Sequence, residues 1–444
     1  MTKRNLLVRP QKKPLQGVTA VPGDKSISHR AVMFAAIAKG TSHIRRWLPA
    51  GDTLATLNMV QAMGIPVTID KKSDTAWDLT IQGQGLRGLK PPAAPLDARN
   101  AGTCMRLMAG ILTGQPFPVV LDGSEQLRKR PMRRIAEPLQ QMGANIQTTD
   151  GKAPLHIQPA PLHGTAYKMP VASAQVKSAL LLAGLYADAP TRVYEPGPAR
   201  DHTERMLRAM GADIQTEDGW ITIQPQTTPL QPLDLTVPGD ISSAAFLLVA
   251  ASVVPHSQVT ITNVGINETR TGILDMLAAM GGDVVVENTR LSGGEPVADL
   301  TARFSEMRSA HIAGDVVTKG IDEVPIWSVA AAQAAGTSIV SDAAELRVKE
   351  VDRIGVLAGE LRKLGLRVDE QADGFTIAGP QRLFGAEVDS HDDHRLGMSL
   401  AVAGLVTHGL TLVYDAGCVA DSFPGFVETM QRLGADMAWV AGDD

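Results

Sequence analysis

The chain has 444 residues, 44% of them hydrophobic and 20% charged, with a formal charge of −5. This is the balance of a globular protein long enough for at least two cores, and it excludes a disordered chain and a general nucleic-acid binder rich in Lys and Arg. Cys104 and Cys418 lie outside any CxxC spacing, so neither a disulfide framework nor a structural zinc site is expected.

The chain starts with MTKRNLLVRPQKK, which is basic but lacks the apolar core of a secretory signal. The longest apolar run, AAFLLVAASVV, falls short of a membrane span, so a cytoplasmic protein without membrane contact is expected. Next comes VPGDKSISHRAVMFAAIAKG (21–40), a dense polar cluster running into a helix with no polar face. Such a helix must be enclosed by protein. Further on, five more segments repeat this form: NAGTCMRLMAGIL, ASAQVKSALLLAGL, GDISSAAFLLVAAS, DEVPIWSVAAAQAA and DDHRLGMSLAVAGL.

Between them runs a second repeated phrase, a Met or Leu followed by Gly, two variable residues and an apolar one. It is centred on Gly64, Gly143, Gly211, Gly281, Gly365 and Gly434; one further match, at Gly397, is out of register. Each in-register copy closes an amphipathic pattern such as DTLATLNMVQAMG, with Gly as a left-handed stop, and a strand follows. The chain is therefore expected to be α/β (α+β), with six βαβαββ repeats of about 70 residues, three per domain. A second VPGD, at Val237–Asp240, marks the expected boundary between a domain over 23–236 and another over 237–444.

The first amide groups of an enclosed helix have no intrahelical partner and carry partial positive charge, so anions are their natural guests. The inner helices of both domains are expected to open on a shared cleft that binds anions. The leaders differ, since the fourth has Ile241 where the first has Lys25, so the basic group is not needed for folding. The alternative reading of Lys25, taken alone, is a solvated lysine beside a Ser/Asp cap.

Other charged clusters follow. SEQLRKRPMRR brings Arg128, Lys129, Arg130, Arg133 and Arg134 together, with one or two expected to point inward. ELRVKEVDRIG groups Lys349, Glu350 and Arg353, which alone reads as an exposed ion-pair face. HDDHRLG offers two histidines and two carboxylates, but its HxxH spacing is not the i, i+4 pair of a helical zinc site and Arg395 would oppose a cation. GQGLRG matches GxGxxG formally but leads into LKPPAAP rather than a helix.

Together, PGDKSISHRA, NAGTCMRL, RDHTERML, DEVP, RVKEVDRI and DDHRLGMS resemble the 5-enolpyruvylshikimate-3-phosphate synthase family, in order and over essentially the whole chain. The resemblance implies a two-domain inside-out α/β barrel, with residues 1–22 returning to complete the C-terminal domain. It implies transfer of the enolpyruvyl group of phosphoenolpyruvate to the 5-hydroxyl of shikimate 3-phosphate, on the route to chorismate, without metal or organic cofactor. A monomer with no nucleic-acid partner is expected.

Carried over by position, Lys25, Ser26, Arg30, Ser173, Ala174, Gln175, Arg200, Asp322 and Lys349 correspond to contacts of shikimate 3-phosphate. Lys25, Gly102, Arg128, Gln175, Arg353 and Arg395 correspond to contacts of phosphoenolpyruvate, and Lys25, Asp322 and Glu350 to the catalytic groups. Gly102 matches the small residue that leaves room for glyphosate. In the last loop Asp421 stands where many relatives carry a lysine. Two alternatives share the repeat fold. UDP-N-acetylglucosamine enolpyruvyl transferases use a loop cysteine that GSEQLRKRPM lacks, and RNA-terminal-phosphate cyclases bind nucleic acid, which the acidic balance disfavours.

Overall fold

Six helices are apolar around their circumference, and all six lie inside the protein. They are Lys25–Ile37, Gly102–Leu112, Ala174–Gly184, Ile241–Val253, Val324–Gln333 and His394–Leu405, called here the first to sixth enclosed helices. The fourth and sixth are buried at every residue, and the first at every residue after Lys25. The computed structural model describes residues 4–292 and 294–441.

Four of these helices are capped by a side chain. Asp24, Ser173, Asp240 and Asp393 accept hydrogen bonds from amides of the first turn, which supplies partners that water cannot reach. The amphipathic helices end by a different device. The six glycines of the repeated phrase all take positive φ, from 78° at Gly281 to 100° at Gly434. The residue after each glycine bonds back to the carbonyl five positions earlier, as Ala144 N does to Leu139 O at 3.1 Å, which closes the last turn.

Strands form six four-stranded sheets and one two-stranded sheet among the described residues. Each four-stranded sheet contains a parallel pair followed by an antiparallel one. Strands distant in sequence complete three of them. Asp234–Thr236 runs parallel to Lys39–Trp47, Gln16–Ala20 runs parallel to Gln258–Gly265, and Arg4–Val8 lies between Thr411–Tyr414 and Met437–Ala441.

The chain divides into two compact units. The first consists of Gly23–Val237 with Ser292–Glu295, and the second of the other described residues. Each has its own core, around Phe34, Trp47 and Leu182 in the first and Phe246, Trp327 and Phe426 in the second. Among the described residues no helix is long and apolar enough to cross a membrane.

The glycine stops give a direct test. At Gly281 an added Cβ meets nothing within 4 Å, whereas at Gly143 it would lie 2.8 Å from the Pro161 carbonyl oxygen. Gly281→Ala should therefore cost about 1 kcal/mol of backbone strain alone. Gly143→Ala should cost clearly more. Urea unfolding of the two variants measures the difference, and equal losses would remove the steric part of this account.

Candidate functional site

In the first unit the polar groups gather at the starts of the three enclosed helices. Lys25 Nζ lies 3.1 Å from Asp52 Oδ2, in a largely buried pair. One turn on, the buried Arg30 donates to Thr203 Oγ1 at 2.7 Å, Ser178 Oγ at 2.9 Å and the Ser26 carbonyl at 3.0 Å. It thus ties the first enclosed helix to the third and to the helix His202–Ala209. Arg200, just before that helix, reaches the Ser26 hydroxyl at 3.4 Å.

Beneath Arg30, Lys177 is enclosed between Glu204 at 2.7 Å and Glu195 at 2.9 Å. Burial opposes its charge, but the two carboxylates hold its pKa above the ordinary lysine value. Burial prevails at His29, whose Nδ1 lies 2.6 Å from Thr56 Oγ1: desolvation first, then Lys25 and Arg30, push its pKa down to about 3, with Asp24 opposing.

Ser173 caps the third enclosed helix, Ala174 begins it, and Gln175 points at the second: it accepts from Arg106 at 2.5 Å and donates to Thr103 Oγ1 at 2.9 Å. Gly102 begins the second enclosed helix with two guanidinium groups against it. A Cβ there would stand 2.9 Å from Arg130 Nη1 and 3.1 Å from Arg106 Nη1. In the basic run it is Arg130 that is buried. Arg128 lies apart, half-exposed, in a forked pair with Asp122 whose carboxyl it holds below the usual range.

In the second unit one carboxylate organises the charges. Asp322 meets Arg353 Nη1 at 3.3 Å, Lys349 Nζ at 3.5 Å and Arg395 Nη2 at 3.7 Å. Arg353 is fully buried and committed. It donates to Asp393 through Nε at 2.7 Å and Nη2 at 3.2 Å, and to Glu350 at 2.7 Å. Burial opposes its charge, yet Asp393, Glu350 and Asp322 together hold its pKa above the ordinary arginine range. Loss of solvent pushes the Lys349 ammonium down, with Asp322 opposing.

Arg395 differs from Arg353. It is nearly enclosed, but its guanidinium stands 3.7 Å from Asp322 and 3.9 Å from Glu323, too far for a hydrogen bond to either. A guanidinium so placed can accept a bidentate anion without first breaking a hydrogen bond. Asp393 is occupied as Arg353's partner and as cap of the sixth enclosed helix, and His391 lies against Glu360 at 2.9 Å, so the HDDH stretch is split between separate partners. Asp421 closes a short turn of 3-10 helix, Ala416–Asp421.

Sequence reasoning did not single out Asp52, Arg106, Arg130's buried place, Lys177, Arg270 or Glu323. All of these but Arg270 lie within segments already quoted, but a buried lysine and a solvated one look alike in a string. Their burial depends on partners such as Glu195 and Glu204, which lie on other elements.

Comparison with known proteins shows the family. Residues 10–430 match the family model described as EPSP synthase (3-phosphoshikimate 1-carboxyvinyltransferase). The chain is 51% identical to the 3-phosphoshikimate 1-carboxyvinyltransferase of Citrifermentans bemidjiense over 97% of this chain and 99% of that one. It is 50% identical to the protein of that name from Geotalea uraniireducens, over 94% and 97%. Among solved structures it is similar to the EPSP synthase of Acinetobacter baumannii, with a TM-score of 0.87, 44% identity and coverage of 98% of this chain and 100% of that one. The chain belongs to the EPSP synthase family.

The two arginines assigned to one ligand should separate on substitution. Arg128→Ala removes an exposed pair and should change unfolding free energy by no more than about 1 kcal/mol. Arg353→Ala strands buried carboxylates and should cost about 3 kcal/mol or more. Chemical denaturation of both variants checks the contrast.

His29 supplies a pH test. Its pKa is depressed to about 3 in the folded chain, so the unfolded chain binds the extra proton first and stability falls as pH drops below about 6.5. The stability advantage of wild type over His29→Gln should shrink by about 2 kcal/mol between pH 7 and pH 5. A constant difference would show that His29 protonates freely in the folded state.

Proposed function

We propose that the chain transfers the enolpyruvyl group of phosphoenolpyruvate to the 5-hydroxyl of shikimate 3-phosphate, releasing inorganic phosphate. The observation that carries this reading is the cluster around Asp322. There one carboxylate is faced by Arg353, Lys349 and Arg395, with Glu350 on the far side of Arg353. Such a cluster suits a reaction that needs both an anion held in place and a carboxylate to move a proton.

In the addition step the 5-hydroxyl oxygen bonds to the central carbon of the enol, its proton passing to Asp322, while Glu350 delivers a proton to the methylene carbon. In the elimination step Glu350 takes back a methyl proton, the double bond re-forms and phosphate leaves with the proton that Asp322 took up, so both carboxyl groups return to their starting state. Lys25 offsets the charge on the phosphoryl group. Lys25, Ser26, Arg30, Ser173, Ala174, Gln175, Arg200, Asp322 and Lys349 are assigned to shikimate 3-phosphate, and Lys25, Gly102, Arg128, Gln175, Arg353 and Arg395 to phosphoenolpyruvate.

The basic side chains in the first turns of the first and sixth enclosed helices, Lys25 and Arg30 in one unit and Arg395 in the other, support binding of anionic substrates. The loosely held Arg395 supports its assignment to the enol substrate. Arg30 and Arg353 already have several protein partners each, so in this reading a substrate takes only their remaining N–H groups.

A finer architecture belongs to the same reading: a two-domain inside-out α/β barrel of six repeats, three per domain, with domains over 23–236 and 237–444 and residues 1–22 completing the second. So does a cytoplasmic monomer. Cys104 favours this activity over the cysteine-using transferase, because burial pushes its thiol up to about 12 and its Sγ lies 3.5 Å from Met59 Sδ.

Phosphate release on mixing the protein with both substrates, and none when either is omitted, tests the reading directly. Glyphosate should inhibit in competition with phosphoenolpyruvate. Glu350→Gln should slow exchange of the enolpyruvyl methylene protons with solvent by about a hundredfold or more while leaving substrate binding within a few-fold. Undiminished exchange would reject Glu350 as the proton donor.

A further inference from the structure

The fourth polar leader copies the first but carries Ile241 where the first carries Lys25. Its helix start nevertheless meets a cation. Arg270, buried in the turn before the helix Gly272–Ala279, donates through Nη2 to Asp240 Oδ1 at 3.2 Å and to Ser242 Oγ at 2.9 Å. The Ser242 hydroxyl in turn donates to Glu323 Oε1. Glu323 is fully buried at the start of the fifth enclosed helix and stands 3.9 Å from Arg395 Nη1, while Asp322 stands 3.7 Å from Arg395 Nη2.

Two carboxylates adjacent in sequence therefore flank one guanidinium, and neither is hydrogen-bonded to it. The chain of contacts Arg270–Ser242–Glu323 holds the Glu323 carboxylate by one oxygen. Its Oε1 already accepts from a hydroxyl whose own oxygen is fixed by Arg270.

We propose that Glu323 is a positioning residue that keeps Arg395 balanced between two carboxylates and so off Asp322. The inference rests on the assignment of Arg395 to phosphoenolpyruvate and of Asp322 to proton transfer. The fourth leader then acts as a support for the enol substrate's arginine rather than as an anion subsite of its own.

The consequence follows from Coulomb attraction. If the charge of Glu323 is removed, a shift of about 1 Å brings Arg395 into hydrogen-bond range of Asp322. The guanidinium is then committed to protein, and Asp322, already facing Lys349 and Arg353, gains a third close cation and becomes a weaker base. Other charges near this carboxylate include Glu350 and Asp393, both engaged by Arg353, and Glu323 itself.

The experiment compares wild type with Glu323→Gln and Ser242→Ala over a range of pH, varying each substrate in turn. For Glu323→Gln the KM for phosphoenolpyruvate should rise about tenfold or more while that for shikimate 3-phosphate stays within about twofold, and the acid limb of the kcat profile should move to lower pH. Ser242→Ala should shift the same quantities less, and the double variant should be no worse than Glu323→Gln, because both act through one contact.

An unchanged KM and pH profile in an active Glu323→Gln overturns the inference, as does an equal rise in both KM values with a lowered melting temperature. A crystal structure of Glu323→Gln provides a test independent of turnover. Shortening of the Arg395–Asp322 separation from 3.7 Å to hydrogen-bond length is expected, and an unchanged separation overturns the inference. Wild type that releases no phosphate would instead overturn the functional reading.

Discussion

An apolar helix sealed inside a protein still has a polar end, and its first amides must find partners or face a ligand. That constraint recurs six times here. Asp24, Ser173, Asp240 and Asp393 meet it with side-chain caps, and the polar residues beside those caps create the charged clusters from which the function follows. The proposed chemistry is thus placed where the fold is obliged to put polar atoms in an apolar interior.

The charges divide into two kinds. Arg30, Lys177 and Arg353 are buried with several protein partners each, and they lock helices to one another at the cost of desolvation that only several partners can offset. Arg395 and Lys349 have only looser ion pairs. A site for anions uses both kinds, because the multiply paired groups hold a scaffold rigid while the looser ones keep more of their hydrogen-bonding capacity for a ligand.

Much of this was legible in the string of residues. The six glycine stops and the six all-apolar helices follow from local chemistry: positive φ favours glycine, and a helix without a polar face must be enclosed. The difference between Lys25 and Ile241 also marked the leaders as unequal. What the difference meant was hidden, because the cation at the fourth leader is Arg270, which lies outside the leader's own segment. In SEQLRKRPMRR the five basic residues look equivalent, and only packing against Gly102 makes Arg130 inward while Arg128 pairs with Asp122 on the surface.

The sequence by itself determined the α/β class, the helices that had to be buried, their terminators and the family to which the chain's motifs belong, since each is encoded by residues close together along the chain. Only the tertiary structure decided which cations are committed and which are held loosely, and where strands as remote as Arg4–Val8 find their sheet. The physical reason is distance along the chain. A guanidinium's state depends on carboxylates dozens of residues away, as that of Arg353 does on Asp322 and Asp393, and no local pattern records their approach.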